Sequence, residues 1–421
     1  MARTKRDGYL TAKEATALLG VKPETLYAYV SRGLLRSMTG STPRERLYAS
    51  EDLQVLLARR RARSGHGPAA AAALRWGEPV LESAITLIAP PEIYYRGYSL
   101  DALPPRFEDV AELLWNGNLA AEAVLWDSPS APHLAQPSSR SGRKETIREQ
   151  AHYLIRVTNQ LALAEGEGEK RPFLDRARGL IRVLAAAAGG QRFSAALAAE
   201  TAAESFLIGF GLSARRPLLN AVNRTFVVSA DHELNPSTFA ARIATSTGAD
   251  LHAAVCAALA TLSGPKHGGA SQEIEAFLGG FEGVVGARSR VRRARQAGRP
   301  IPGFGNRPYP TGDPRARPLL QLAGEIAPQN PRIRKIGMLQ ECLGETAGLA
   351  PLLDLGLYAI ASAVGLQPSA AFALFAVGRS AGWVAHILEQ RQENSMLRPR
   401  ARYVGRAPLA STPAPAPGSE I

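Results

Sequence analysis

From residue 69 to about 405 the chain runs as alanine-bearing apolar stretches at helical spacing, among them Leu180–Ala188, Leu197–Leu212 and Ala253–Leu262, with very few alternating runs. Strands bury every second residue and helices every third or fourth, so this pattern dictates helices packed on helices. An all-α fold is expected. The 421 residues exceed the roughly 100–200 of one ordinary domain, which suits a small module joined to a large one. The breaker-rich run Ser64-Gly65-His66-Gly67-Pro68 marks a linker at 64–68 between a module at 1–63 and a core at 69–405. Asp127–Arg143 reads as a loop, and residues 406–421, with APLASTPAPAPGSEI after Arg406, read as a disordered Pro/Ala-rich tail.

Several classes are excluded. No stretch reaches the roughly 18 apolar residues of a spanning helix, since the candidate Leu352–Leu366 is interrupted by Asp354, so no membrane partner is expected. MARTKRDGYL carries charge without an apolar run behind it, which predicts no signal peptide and a cytoplasmic location. Cys256 and Cys342 are the only cysteines, which leaves no disulfide scaffold and no Cys-rich metal site. No metal and no cofactor are expected.

The net charge of +13 is uneven: residues 1–67 hold thirteen Lys/Arg against six Asp/Glu, a surplus of seven. That front end is an electrostatic candidate for phosphate backbone. A second cluster, Arg288 to Arg299, falls in a predicted helix and its following turn; a solvated face and a polyphosphate contact are both open readings.

Within the front module, Thr11 and Glu14 form a capping box ahead of the stripe Ala15, Leu18, Leu19, and Gly20 ends that helix. Pro23 opens a second helix with Leu26, Tyr27 and Val30 inward and Gly33 as its stop. A wing-like segment Leu34–Tyr48 follows, and Ser50-Glu51-Asp52-Leu53 opens a third helix. LTAKEATALLGVKPETLYAYVSRGLL, followed by RLY and an acidic pair, resembles the MerR-type helix-turn-helix. The resemblance implies DNA as a partner, with Lys22, Thr25, Tyr27 and Arg32 as the contacting candidates. A helical protein-interaction module has the same apolar spacing.

In the core, Gly264-Pro265-Lys266-His267-Gly268-Gly269-Ala270 follows an apolar helix, where glycines let backbone approach a ligand and hold a histidine beside it. Its company is Asp231-His232-Glu233-Leu234-Asn235, Asp313-Pro314-Arg315, Asp354 and Gly378-Arg379. The motifs YYRGYSL (94–100), ADHELNPSTFAAR (230–242), LSGPKHGGA (262–270), PGFGNRPYPTGDPRA (302–316), LDLGLYAIASAVGL (353–366), FAVGRSAGWVAHILEQ (375–390) and RPRARYVG (398–405) occur in one order. Together they resemble the citrate synthase family over about three quarters of the chain; residues 120–220 add little.

The resemblance implies an all-α core with a large domain and a small one at approximately 270–375, working as a homodimer with shared sites. It implies condensation of acetyl-CoA or propionyl-CoA with oxaloacetate through an enol, CoA being a co-substrate. By similarity Asp354 is the general base and His267 donates to the thioester oxygen. His232, Arg315, Arg379 and Arg398 hold the oxo-acid, Arg398 coming from the partner subunit, and a planar guanidinium suits carboxylates. Asn306 stands where the family has a histidine that polarises the ketone, and an amide donates without positive charge. Pro308 and Pro310 replace a usual Val and Lys or Arg, which leaves Arg307 and Arg317 as CoA-phosphate candidates. Three classes fit: a condensing acyltransferase, a metabolite-sensing DNA-binding regulator on a weakened synthase core, and a dimerisation scaffold.

Overall fold

A computed structural model of the chain describes residues 9–31, 34–39, 46–49, 52–53, 81–127, 146–166, 171–305, 309, 312–344, 349–399 and 404–405. The chain divides into two units, Ser83–Leu397 and a second made of Met1–Glu82 with Arg398–Ile421. The expected linker at 64–68, the tail at 406–421 and the loop Asp127–Arg143 beyond Asp127 lie outside the described residues, as does Gly33.

In the smaller unit the Thr11 hydroxyl accepts from the Glu14 N–H while the Glu14 carboxylate accepts from the Thr11 N–H at 2.9 Å, capping helix Ala12–Leu19. Gly20 closes that helix at φ 59°, and Pro23 is the first residue of helix Pro23–Ser31. Ala15, Leu19, Leu26, Leu35, Tyr48 and Leu53 form the buried core. Tyr27, expected on the inner face, is 59% exposed. Tyr29, three residues after Leu26, packs in its place beside the expected Val30, because about 100° of turn per residue carries Tyr27 round to solvent. The wing is an antiparallel sheet in which Arg46–Ala49 lies between Tyr9–Thr11 and Ser37–Thr39. Arg36 grips Asp52, its guanidinium donating to both carboxylate oxygens at 2.9 Å and its backbone N–H to Oδ2 at 2.7 Å, while Ser50, Glu51 and the stretch after Leu53 of the expected third helix lie outside the described residues.

The larger unit is built around helix Ala370–Glu393, against which Phe107–Asn116, Arg216–Ser229, Pro236–Ser246, Leu251–Leu262 and Leu353–Ala363 pack. This helix is long and apolar enough to cross a membrane, contrary to the expectation that no run reaches that length. Its apolar window is 89% buried inside the protein, so it is a core helix. Neighbours approach its backbone through two glycines one turn apart. A Cβ at Gly382 would lie 2.3 Å from the Ala230 carbonyl oxygen and 2.4 Å from Asp231 Oδ1; one at Gly378 would lie 2.9 Å from the Phe226 Cα. Bare of side chains, these positions let the end of Arg216–Ser229 settle on the helix, and the Gly382 N–H donates to Ala230 O at 2.9 Å.

The expected helical stretch Leu197–Leu212 is broken into Phe193–Leu197 and Ala202–Gly209. Buried Arg182 donates to the carbonyls of Leu197 at 3.0 Å, Glu200 at 3.4 Å and Ala199, acceptors a continuous helix would use itself. Thr201 then caps the second piece, its hydroxyl accepting from the Glu204 N–H at 3.2 Å. Strands in this unit are short: the meander Thr86–Ala89, Glu92–Tyr95, Tyr98–Ser99, and a pairing of Phe304–Gly305 with Ala350–Pro351. The fold is all-α, as the periodicity predicts.

Candidate active site

The connection from Arg216–Ser229 to Pro236–Ser246 carries the first site residues. Asp231 is fully buried; its Oδ2 accepts from the Thr86 hydroxyl at 2.6 Å and the Glu233 N–H at 3.1 Å, with His386 Nε2 at 3.4 Å. Burial alone raises a carboxyl's pKa, but His386, Arg379 and the Thr86 hydroxyl outweigh it and hold Asp231 ionised below the usual range. Glu233 adopts φ 50°, a left-handed conformation costing on the order of 1 kcal/mol, in the turn just after His232. His232 is half-buried with Nε2 2.6 Å from the Tyr309 hydroxyl. Burial, then the charges of Arg315 and Arg379, hold this histidine well below the usual imidazole range, so it is neutral.

Helix Leu251–Leu262 ends in the glycine-rich turn that presents His267, whose Nε2 is 2.9 Å from Ser237 Oγ and whose ring meets Phe375 edge-on at 6.0 Å. Burial and then Arg379 push this imidazole down to about 4. Ser237 has one proton and three neighbours: Asn235 Oδ1 at 2.7 Å, His267 Nε2 at 2.9 Å and Trp383 Nε1 at 3.2 Å. The Trp383 N–H can only donate. When the Ser237 hydroxyl donates to His267 Nε2, the neutral ring carries its proton on Nδ1 and can offer it to a ligand.

Arg379 projects from the core helix, 1% exposed; its Nε donates to Ser229 O at 2.7 Å, its plane lies 4.6 Å from the Phe375 ring centre, and burial pushes it down to about 10. Among the described residues its two Nη groups carry no hydrogen bond. Arg315, 6% exposed, is gripped by Asp313, with Nε to Oδ1 at 2.9 Å and Nη2 to Oδ2 at 2.7 Å. Asp313 Oδ2 also accepts from the Leu353 N–H at 3.3 Å, tying that arginine to the helix that bears Asp354. Asp354 is half-buried in the first turn of Leu353–Ala363. Burial pushes its carboxyl up to about 6, against Arg315 and helped by Asp313.

The structure thus brings together His232, His267, Arg315, Asp354 and Arg379, each within the electrostatic reach of Arg315 or Arg379. Asn306, Arg307 and Arg32 lie outside the described residues. Arg398 is exposed and belongs to the smaller unit. Arg317 lines a cleft of about 950 Å³ beside Asp313, with Glu92, Asp101, Gln321 and Gln340 on its walls. Lys22 and Tyr27 are exposed, and the Thr25 N–H donates to Lys22 O at 3.0 Å. Among the described residues no group of three or more His, Cys, Asp or Glu is placed to hold a metal ion.

The family model described as citrate synthase, C-terminal domain, matches residues 73–400. The chain belongs to the citrate synthase family. A helix-turn-helix domain model matches residues 9–61. The citrate synthase of Haloferax volcanii is 37% identical over 200 residues, which is 47% of this chain and 53% of that protein. A 2-methylcitrate synthase of Mycobacterium tuberculosis is 28% identical over 350 residues, 78% of this chain and 89% of that protein. The chain spans about half the length of the first curated relatives it matches, 53% and 56% for the Haloferax protein and citrate synthase 2 of Bacillus subtilis. The ternary complex of citrate synthase from Thermoplasma acidophilum with carboxymethyl coenzyme A and oxaloacetate superposes with a TM-score of 0.69 at 25% identity, covering 82% of this chain and 98% of that one.

In this citrate synthase family core, sequence reasoning gives no role to Ser237, Tyr309, Asp313 or the Asp231–His386 pair. All lie inside the quoted motifs. Asp313, two residues before Arg315, is the one whose role the spacing signals; the others depend on contacts 30 to 155 residues apart in sequence.

Proposed function

We propose that the larger unit condenses a short acyl-CoA with oxaloacetate, giving citrate or its methyl homologue and free CoA. The observation that carries this is Asp354: a carboxylate held at about 6 has on the order of 3 kcal/mol more proton affinity than an ordinary one, yet is ionised at pH 7. It takes a proton from the acyl carbon next to the thioester. Neutral His267, in the tautomer in which Ser237 donates to its Nε2 rather than to Asn235 Oδ1, donates from Nδ1 to the thioester oxygen as the enol forms, a contribution of about 3 kcal/mol. The enol carbon attacks the ketone of oxaloacetate, whose carboxylates are held by Arg379 and Arg315 with His232 beside them. Water then cleaves the thioester and CoA leaves as the thiol. The cleft beside Asp313, with Arg317 on its wall, is the approach for the acyl-CoA. No metal or further cofactor enters this scheme. Release of CoA thiol from acetyl- or propionyl-CoA, dependent on oxaloacetate, is the test; no release with either thioester overturns the proposal.

Asn306 in this scheme offers the ketone oxygen a neutral donor, about half as strong as a charged one. Asn306→His is expected to raise turnover about tenfold. A variant that turns over more slowly would mean the pocket is adapted to the amide. Arg398 in turn is proposed to act across a homodimer. Mixing inactive Asp354→Asn and Arg398→Ala protomers then restores part of the activity in heterodimers, because one of the two sites regains both residues; verified heterodimers without activity exclude it.

The match of residues 9–61 to a helix-turn-helix domain favours a second reading, in which the module binds DNA through Lys22, Thr25, Tyr27 and Arg32 and the core adds metabolite sensing. Duplex binding that changes with oxaloacetate or acyl-CoA tests it.

A further inference from the structure

Helix Gly283–Gln296 carries a row of arginines on its outer face. It buries Ala287, Val291 and Ala294 and turns Arg288, Arg292 and Arg295 outward, a stripe at i, i+4, i+7 that Arg299 extends. Arg299 is fixed past the helix end by its N–H donating to Ala294 O at 2.9 Å. Other arginines of this unit do meet carboxylates, among them Arg176 with Glu165, Arg178 with Glu112, Arg242 with Glu389 and Arg315 with Asp313. Arg292, Arg295 and Arg299 are exposed and have no carboxylate partner among the described residues. Like charges at i, i+4 destabilise an isolated helix by a few tenths of a kcal/mol per pair, and only the last turn gains from the macrodipole. Arg292, Arg295 and Arg299 therefore repel one another until an anion meets them.

We infer that this stripe is a second contact for the phosphate backbone of duplex DNA. From Arg288 to Arg295 the helix rises about 10 Å at 1.5 Å per residue, the length over which a duplex presents about six phosphate charges. The inference rests on the reading of residues 9–61 as a DNA-binding module, which puts a duplex-binding element and this helix on one chain. The stripe carries no base-reading geometry, so it adds affinity and salt dependence without sequence preference.

The test uses the full chain, a 30-base-pair duplex of random sequence, and the triple variant Arg292→Gln, Arg295→Gln, Arg299→Gln; glutamine keeps helix propensity. Binding is measured against salt concentration. The expected result is a slope of log affinity against log salt shallower by about 2–3, at about 0.9 per lost phosphate contact. CoA-thiol release kinetics are expected to be unaltered. A wild-type slope retained in the variant overturns the inference and leaves a merely solvated face. A raised KM for acyl-CoA with the slope retained also overturns it and assigns the arginines to the phosphates of CoA. A wild-type chain that binds no duplex removes the DNA-binding reading of the module itself, an outcome distinct from the other two because it appears before any arginine is changed.

Discussion

Asp354→Asn is expected to lower CoA-thiol release by at least about a thousandfold while oxaloacetate, titrated by calorimetry, binds nearly as before. The amide fills the same space but takes no proton, whereas the proposed holders of the oxo-acid, Arg379, Arg315 and His232, are left in place. Equal loss of oxaloacetate affinity would make Asp354 structural instead. The same carboxyl sets a pH dependence. With Asp354 pushed up to about 6 and His267 down to about 4, kcat/KM in the wild type falls about tenfold per pH unit below 6 and the histidine stays neutral across that limb. Stability moves in the opposite sense. A raised carboxyl pKa means the fold favours the protonated form; that contribution is present below the ordinary value of 3.8 and is lost as pH rises through about 6. Asp354→Asn therefore melts higher than wild type at pH 8, with the advantage shrinking toward pH 4. A thermal midpoint lowered at pH 8 counts against the assigned burial.

The second large effect is expected from a methyl group. Gly382→Ala puts a Cβ 2.3 Å from the Ala230 carbonyl oxygen and 2.4 Å from Asp231 Oδ1. Neither can yield cheaply: Ala230 O already accepts from the Gly382 N–H, and Asp231 is fixed by Thr86, Glu233 and His386. The connection carrying Asp231 and His232 must lift off the core helix, at a cost of about 2–4 kcal/mol. Denaturant unfolding is expected to show that loss, with oxaloacetate binding weakened in parallel because His232 moves with the loop. In an ordinary mid-helix setting glycine to alanine stabilises by about 1 kcal/mol, so a stabilised variant would refute the close approach.

What could be read from the residues was what depends on near neighbours. Thr11 with Glu14, Gly20 and Pro23 act within one turn of chain, and the structure repeats their predicted geometry. The break at Ala198–Thr201 is invisible locally, because its cause is the guanidinium of Arg182, fifteen or more residues earlier in the chain. The site divides in the same way. His267 and Asp354 could be picked out by motif and helix position, but the hydroxyl that orders His267 comes from thirty residues away and the one that meets His232 from seventy-seven. Tyr27 failed for a simpler reason: an aromatic on a short helix is counted inward until the rotation of its neighbours is fixed by packing.

The clasp of Asp313 on Arg315 has a consequence for what the unliganded molecule prefers. Of the two buried guanidiniums in the site, one already owns a counter-ion two residues away, while the other, Arg379, has a backbone carbonyl at 2.7 Å and only the more distant charge of Asp231. Under the proposed function an arriving dicarboxylate meets two unequal hosts. Its first carboxylate neutralises Arg379 without rival, and its second has to share Arg315 with a resident one. Monoanions of similar shape can satisfy the first host alone, so on that proposal discrimination between one carboxylate and two falls to Arg315, by rivalry with Asp313.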